Sequence, residues 1–247
     1  MSEESCDNSK YNKRDYWDQR YTNETEYDWL PSIYPACVQA VFSSVEKVYE
    51  EEHRRCPCDK SREPHVIKVL HLGVGNSNLC VDLYNHYIKK YSDPKAAPYH
   101  LVQVAIDYSE VVIEKMQLKH ADFSNLHWVV ADVRDLEEVR RLYGPSFDVV
   151  IDKCMMDAFQ TDKDSSRMKE DIYRMLHEVS LCFTDPDRTS PRRYGQFIQI
   201  TWEIPYFRLH YTLAKESSTM FAWGANASYR FLGDSDLYRL YVYEVQP

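Results

Sequence analysis

The sequence predicts a doubly wound α/β domain built on a mostly parallel sheet. Three observations carry that expectation. An apolar, β-branched run from Val66 to Leu72 enters Gly73-Val74-Gly75-Asn76-Ser77, and a helical pattern starts at Leu79. Strand-like and helix-like segments then alternate five times. The chain closes on two strand-like runs, which place an antiparallel strand at the end of the sheet.

The elements follow in chain order. Residues 1–12 are polar and acidic and are expected to form a disordered tail. Arg14 to Tyr21, RDYWDQRY, predicts a short helix that crowds Tyr16, Trp17, Arg20 and Tyr21 together. Ile33, Cys37, Val41, Val45 and Val48 repeat at helical spacing, with Pro35 in the first turn. Residues 50–64 are highly charged and predict a surface loop. The first strand and glycine turn lead to a helix carrying Leu79, Leu83, Tyr84, Tyr87 and Ile88, and residues 91–98 form a loop. Leu101 to Ile106 is a second strand ending at Asp107, followed by a helix through Val112 and Met116. His127 to Ala131 is a third, ending at Asp132, and a short helix through Leu136, Val139 and Leu142 stops at Gly144-Pro145. Phe147 to Ile151 is a fourth, ending at Asp152. Met168, Ile172, Met175, Leu176, Val179 and Phe183 mark an amphipathic helix, and residues 184–195 a polar loop. Gln196 to Trp202 is a fifth strand, Pro205 to Met220 a helix, and the last strands lie near Tyr229–Leu232 and Leu237–Val245. No repeat or linker interrupts this order, so residues 1–247 are expected to form one domain.

Composition narrows the function. A net charge of −9 argues against general nucleic-acid binding and suits a basic protein partner. No apolar run is long enough to span a membrane. The first ten residues lack the apolar core of a secretory signal. The seven cysteines, mostly in core-like patterns, read as reduced thiols of a cytoplasmic protein. His53, Cys56 and Cys58 supply only three ligands at unusual spacing, so a solvated linker is expected there and no metal.

The chemistry is expected at one sheet edge. Two of only six glycines stand two positions apart in the first turn, where a missing Cβ lets a ligand approach the backbone. Asp107, Asp132 and Asp152 end three consecutive strands beside it. Each could instead cap the helix that follows. A P-loop would need Lys after the second glycine, and a dinucleotide fingerprint would need a third glycine where Asn78 stands. Three carboxylates repel polyphosphate. They suit a nucleoside with hydroxyls, an exocyclic amine and a positive charge, as in S-adenosylmethionine. Asp107 is then expected at the ribose, Asp132 near the adenine, and Gly73 and Gly75 beside the amino-acid end.

YWDQRY, HLGVGNS, IDYSEVVIEKMQ, ADVRD and FDVVIDKCMMDAF, in that order from Tyr16 to Phe159, resemble the motifs of the methyltransferase-like 13 group of class I methyltransferases. Pro205-Tyr206-Phe207-Arg208 resembles a later segment of the same group. The group includes the elongation factor 1-alpha lysine methyltransferases. The resemblance implies a Rossmann-like, seven-stranded, mostly parallel fold that binds S-adenosylmethionine and methylates a protein lysine, with elongation factor 1-alpha as the acceptor. It implies that helices within residues 14–50 cover the cofactor through Trp17, Arg20 and Tyr21. It places Gly73, Gly75, Asn76 and Ser77 at the methionine end, Asp107 and Tyr108 at the ribose and adenine, Asp132 and Val133 at the adenine, and Asp152 and Lys153 by the methyl group.

The sequence departs from the group's pattern at Val74, where Cys is usual, and at Cys154-Met155, where Gly-Thr is usual. The second change lies near the acceptor entrance. The reaction would be in-line displacement at the sulfonium methyl, governed by positioning and desolvation. Asp152, with Asp157 close beyond it, would orient the acceptor ammonium while water removes the proton. No histidine stands in a catalytic arrangement. The protein is expected to act as a monomer. Two other readings stay open: a non-catalytic module that keeps the cofactor fold, and a small-molecule methyltransferase.

Overall fold

The structure is a computed structural model that describes residues 8–55, 65–92, 97–144, 146–184, 194–213, 221–234 and 236–246. Its strands are β1 (His65–Leu72), β2 (Tyr99–Asp107), β3 (Leu126–Val130), β4 (Val149–Lys153), β5 (Gly195–Thr201), β6 (Ala227–Phe231) and β7 (Arg239–Val245). The helices are α1 (Arg14–Asn23), α2 (Tyr34–Arg55), α3 (Leu79–Tyr91), α4 (Glu110–Lys119), α5 (Glu137–Tyr143), α6 (Met155–Phe159), α7 (Ser165–Leu181) and α8 (Pro205–Thr212).

The seven strands form one sheet in the order β3-β2-β1-β4-β5-β7-β6. β1 pairs in parallel with β2 and β4, β3 with β2, and β5 with β4. β7 runs antiparallel between β5 and β6. Side-chain alternation divides the core. Ile67, Val69, Val149, Ile151, Ile198 and Ile200 pack with α2 and α3 on one face. Leu70, Leu72, Val104, Ile106, Val150 and Phe197 pack with α7 on the other. β5 is buried along its whole length, because helices cover both faces. The strands β1, β2 and β4 therefore end side by side at one edge, where the strand order reverses between β2 and β4 around β1. That crevice is where such sheets bind ligands.

Several expectations change at the element ends. Asn8–Asn12 form a 3-10 turn, so the expected tail through residue 12 is ordered from Asn8. The cause is aromatic packing: the Tyr11 ring meets Tyr16, Trp17 and Trp29 at centroid distances of 5.4, 5.8 and 5.4 Å. Glu50–Arg55 continue α2 instead of opening a loop. Cys56 and Cys58 lie outside the described residues, as do Pro145, residues 185–193 and residues 214–220. His53 stacks on Tyr49. β4 begins and ends two residues later than its apolar run suggests, which places Asp152 and Lys153 inside the strand. The short helix α6 has no counterpart in the sequence expectations. Among the described residues, no helix is long and apolar enough to cross a membrane.

Candidate active site

The turn after β1 sets the geometry. Gly73 and Gly75 both adopt left-handed backbone, with φ of 55° and 53°. A Cβ on Gly73 would stand 2.3 Å from Cγ of Met155, and one on Gly75 would stand 2.7 Å from Oη of Tyr21. Both positions thus exclude side chains by conformation and by space. Asp107, at the end of β2, braces the turn. Its Oδ2 accepts from the Gly75 N–H at 3.0 Å and its Oδ1 from the Ser109 N–H at 2.9 Å. Burial raises this carboxyl from 3.8 to about 6, although the two N–H donors pull the other way.

The N-terminal segment closes over the turn. Trp17 stacks on Tyr21 at 5.5 Å. The Arg20 guanidinium lies over the rings of Tyr27, Trp29 and Trp17 at 4.5, 5.1 and 5.5 Å. Its Nε and Nη2 both donate to the Glu24 carboxylate at 3.0 Å. Burial opposes the charge on Arg20, but Glu24 outweighs it and holds the guanidinium above its ordinary range. Four further side chains pin the segment down. Asn76 Nδ2 donates to Glu24 at 3.2 Å. Ser77 Oγ and Lys153 Nζ both donate to Asp28 Oδ2 at 2.9 Å. Lys115 Nζ donates to the carbonyls of Tyr21 and Glu24 at the end of α1, where a cation also complements the helix dipole.

A cleft of about 1100 Å³, including its open mouth, lies between these parts. Of the residues expected at the site, Trp17, Arg20, Tyr21, Gly73, Gly75, Asn76, Ser77, Asp107, Tyr108, Val133 and Lys153 line it. Asp132, Asp152 and Asp157 do not. Asp132 folds back on its own loop. It accepts from the backbone N–H, Nε and Nη2 of Arg134 at 2.9, 2.9 and 2.6 Å, and the guanidinium holds its carboxyl below the ordinary value despite partial burial. Arg134 and Val133 face the cleft in its place.

Asp152 points to the α7 face of the sheet. Its Oδ1 accepts from Met155 N and Met156 N at 2.7 and 3.3 Å, and its Oδ2 from Gln199 Nε2 at 2.7 Å. Burial raises its carboxyl above the ordinary range. This is the capping role that was the alternative for each strand-end acid, so Asp152 is not set to orient an acceptor ammonium. Asp157 is likewise internal. It accepts from Arg208 Nη2 at 2.5 Å and from Thr201 Oγ1 at 2.8 Å.

Other lining residues were not anticipated. Tyr11, Glu24, Tyr27, Trp29 and Arg134 all reach the cleft, and Cys154, expected near the acceptor entrance, reaches it too. The only signal for the N-terminal ones is the aromatic richness of residues 11–29. His71 also lines the cleft. Its Nε2 lies 2.9 Å from Gln103 Oε1, while Nδ1 has no partner among the described residues. Burial lowers its pKa to about 4, so it is neutral at pH 7. Cys154 adopts φ of 62°, a conformation that glycine takes freely. That explains why glycine is usual at this position in the resembling group.

The chain is similar to known methyltransferases. Residues 65–222 match the family model described as a methyltransferase domain. The chain is 29% identical over 217 residues to the EEF1A lysine methyltransferase 4 of Mus musculus, covering 84% of this chain and 68% of that protein. The Bos taurus protein of the same name is 30% identical over 216 residues, with the same coverage. Among solved structures, the magnesium protoporphyrin IX methyltransferase of Synechocystis PCC 6803 with bound SAM aligns at a TM-score of 0.47 and 13% identity over 100% of both chains. The chain belongs to the methyltransferase domain family, among the class I S-adenosylmethionine-dependent methyltransferases.

Proposed function

We propose that this chain transfers a methyl group from S-adenosylmethionine to a lysine of a protein acceptor, and that the acceptor is elongation factor 1-alpha. The observation that carries the reading is the pairing of a glycine-turn cleft with relatives named as lysine methyltransferases across 84% of the chain. The cleft's own chemistry fits the cofactor. Asp107 is a buried carboxylate whose remaining lone pairs suit ribose hydroxyls. Arg20 and Glu24 form an ion pair whose two charges complement the carboxylate and ammonium of an amino acid. Tyr108 and Val133 supply apolar walls for a base. The cofactor supplies an activated methyl group on a sulfonium.

The chain's residues would work by placement. Tyr21, Gly73 and Gly75 shape the methionine end, and the aromatic cover of Trp17, Tyr27 and Trp29 excludes water. Lys153 stays paired with Asp28, which fixes the cover to the end of β4. Asp152 and Asp157 act at one remove, through the position of α6 and of Cys154-Met155. The acceptor ammonium then loses its proton to water before attack. The reading includes a monomer, and a cytoplasmic location that the free thiols of Cys37, Cys80, Cys154 and Cys182 support.

The test is methyl transfer from labelled S-adenosylmethionine to purified elongation factor 1-alpha and to whole-cell extract. Label on a lysine of the purified factor supports the reading. Label on another protein only would replace the acceptor and keep the class. Tight cofactor binding with no labelled protein would favour the non-catalytic module.

A further inference from the structure

Twelve large hydrophobic side chains are exposed among the described residues, and seven of them fall at one corner. Scattered apolar residues need no explanation, but a contiguous group marks an interaction site. The corner is built from the end of β5, the first turn of α8 and the β6–β7 hairpin. Tyr206 is 79% exposed, Leu237 66% and Phe207 51%. Tyr206 and Phe207 meet edge to face at 5.1 Å. Arg239 gathers the other half: its Nη1 donates to the carbonyls of Trp202 and Leu237 at 3.2 and 3.1 Å, and its guanidinium lies 5.0 Å from the centre of the Phe231 ring. Trp202-Glu203-Ile204-Pro205 joins the halves in sequence.

The patch is firmly held. Arg208, one residue beyond Phe207, is fully buried on Asp157, with Nη2 also 3.1 Å from Thr201 Oγ1. The first turn of α8 is thereby fixed with its aromatic residues outward. The patch also stands at the same end of the sheet as the cleft. Cys154, which lines the cleft, donates its N–H to Ile200 of β5 at 3.0 Å. On the far side, the hairpin glycine Gly233 packs against Ile33, just beyond the N-terminal cover. The apolar corner therefore lies at the cleft's end of the sheet, on the β5 side.

Its charge selects the partner. Glu203, Asp234 and Asp236 stand around the patch against the cation Arg239, whose guanidinium is held by carbonyls and a ring, so the acids outnumber it. The whole chain carries −9. We propose that this corner docks the acceptor: a protein segment whose target lysine is flanked by apolar and basic side chains. The proposal rests on the lysine methyltransferase reading and names the surface that reading needs. Apolar flanking groups would cover Tyr206, Phe207 and Phe231, and basic ones would meet the acidic rim. The cofactor-binding parts play no role in it.

The test is steady-state methylation of purified elongation factor 1-alpha by wild type, by the double variant Tyr206→Ser/Phe207→Ser, and by Phe231→Ser. Cofactor affinity is measured by calorimetry and mass by light scattering. The expected result is a rise of tenfold or more in the acceptor KM of both variants. Turnover at saturating acceptor and cofactor Kd should stay within twofold, and Phe207→Leu should keep most of the wild-type KM. An unchanged acceptor KM overturns the surface. So does a cofactor Kd that weakens in step, since the patch would then only support the cleft. A wild-type dimer that the double variant dissociates also overturns it, because a second copy would be the occupant. Label only on another protein of the extract moves the same KM comparison to that protein; wild type that labels no protein lysine defeats the lysine reading itself, and the surface with it.

Discussion

Cofactor affinity should fall between pH 7 and pH 5, and Asp107 should be the cause. Its carboxyl is 4% exposed and raised to about 6 by burial. Only the ionised form can accept from two ribose hydroxyls while holding the Gly75 and Ser109 N–H groups. The fraction ionised drops from nearly all at pH 7 to about one tenth at pH 5, so Kd should weaken about tenfold, or about 1.4 kcal/mol. The ligand's own carboxyl and amino groups titrate outside this window.

Stability is the wrong readout. Asp107 is raised, so its contribution to stability is full below 3.8 and is lost as pH rises through about 6. His71 is lowered, so its contribution is full above 6.5 and is lost as pH falls through about 4. Each is worth about 3 kcal/mol at 1.36 kcal/mol per pH unit, and the two windows oppose each other. So far as these two groups go, the melting temperature should be nearly flat while the affinity is not. Calorimetric Kd at pH 7, 6 and 5 is the assay, with Asp107→Asn as the control that loses the slope. A constant Kd across that range in a folded protein would refute the reasoning.

Three further outcomes follow from the contacts. Gly75→Ala should cost about 1–2 kcal/mol, because φ of 53° and a 2.7 Å approach to Tyr21 Oη both resist a Cβ; an unchanged thermal melt would contradict this. Lys153→Met should destabilise the protein by about 1–3 kcal/mol by leaving the half-buried Asp28 without its cation beside Ser77. Adding Asp28→Asn should recover at least half of that in denaturant unfolding, and no recovery would mean that the pair is not coupled. Asp152→Asn should lower stability by about 1–3 kcal/mol, because its new amide group would face Gln199 Nε2. Turnover per folded molecule should change less than tenfold; a hundredfold loss with an unchanged melt would return Asp152 to the acceptor site.

What could be read from the sequence was local. The β-branched run into Gly73-Val74-Gly75 marks β1 and its turn, and Asp107 follows from the end of an apolar run. Asp152 looked alike in sequence yet differs in role, because its partners Gln199 and Met155 are set by a strand pairing and a five-residue helix that no periodicity announces. Asp132 was misplaced for a nearer reason. Arg134, two residues on, captures the carboxylate in a local turn, a competition that the Asp-Val-Arg triplet could have suggested. Glu24 and Asp28 were invisible as site residues because their partners Asn76, Ser77 and Lys153 lie 49 to 125 positions away. Long-range pairing of this kind has no signature in spacing.

The place of β7 in the sheet makes assembly non-sequential. β5 and β6 pair with β7 and not with each other, and β7 follows both in the chain. On a ribosome, β5 emerges with one edge unsatisfied and β6 emerges with no neighbour. The interval from Thr201 to Val245 is roughly 2–9 s at ordinary elongation rates. For those seconds the nascent chain carries an open strand that is wholly buried in the finished fold, of the kind that recruits chaperones or pairs with other copies. Insertion of β7 covers the open edge of β5 and one side of β6 at once. Its arrival is the step that commits the newly made chain to its native sheet.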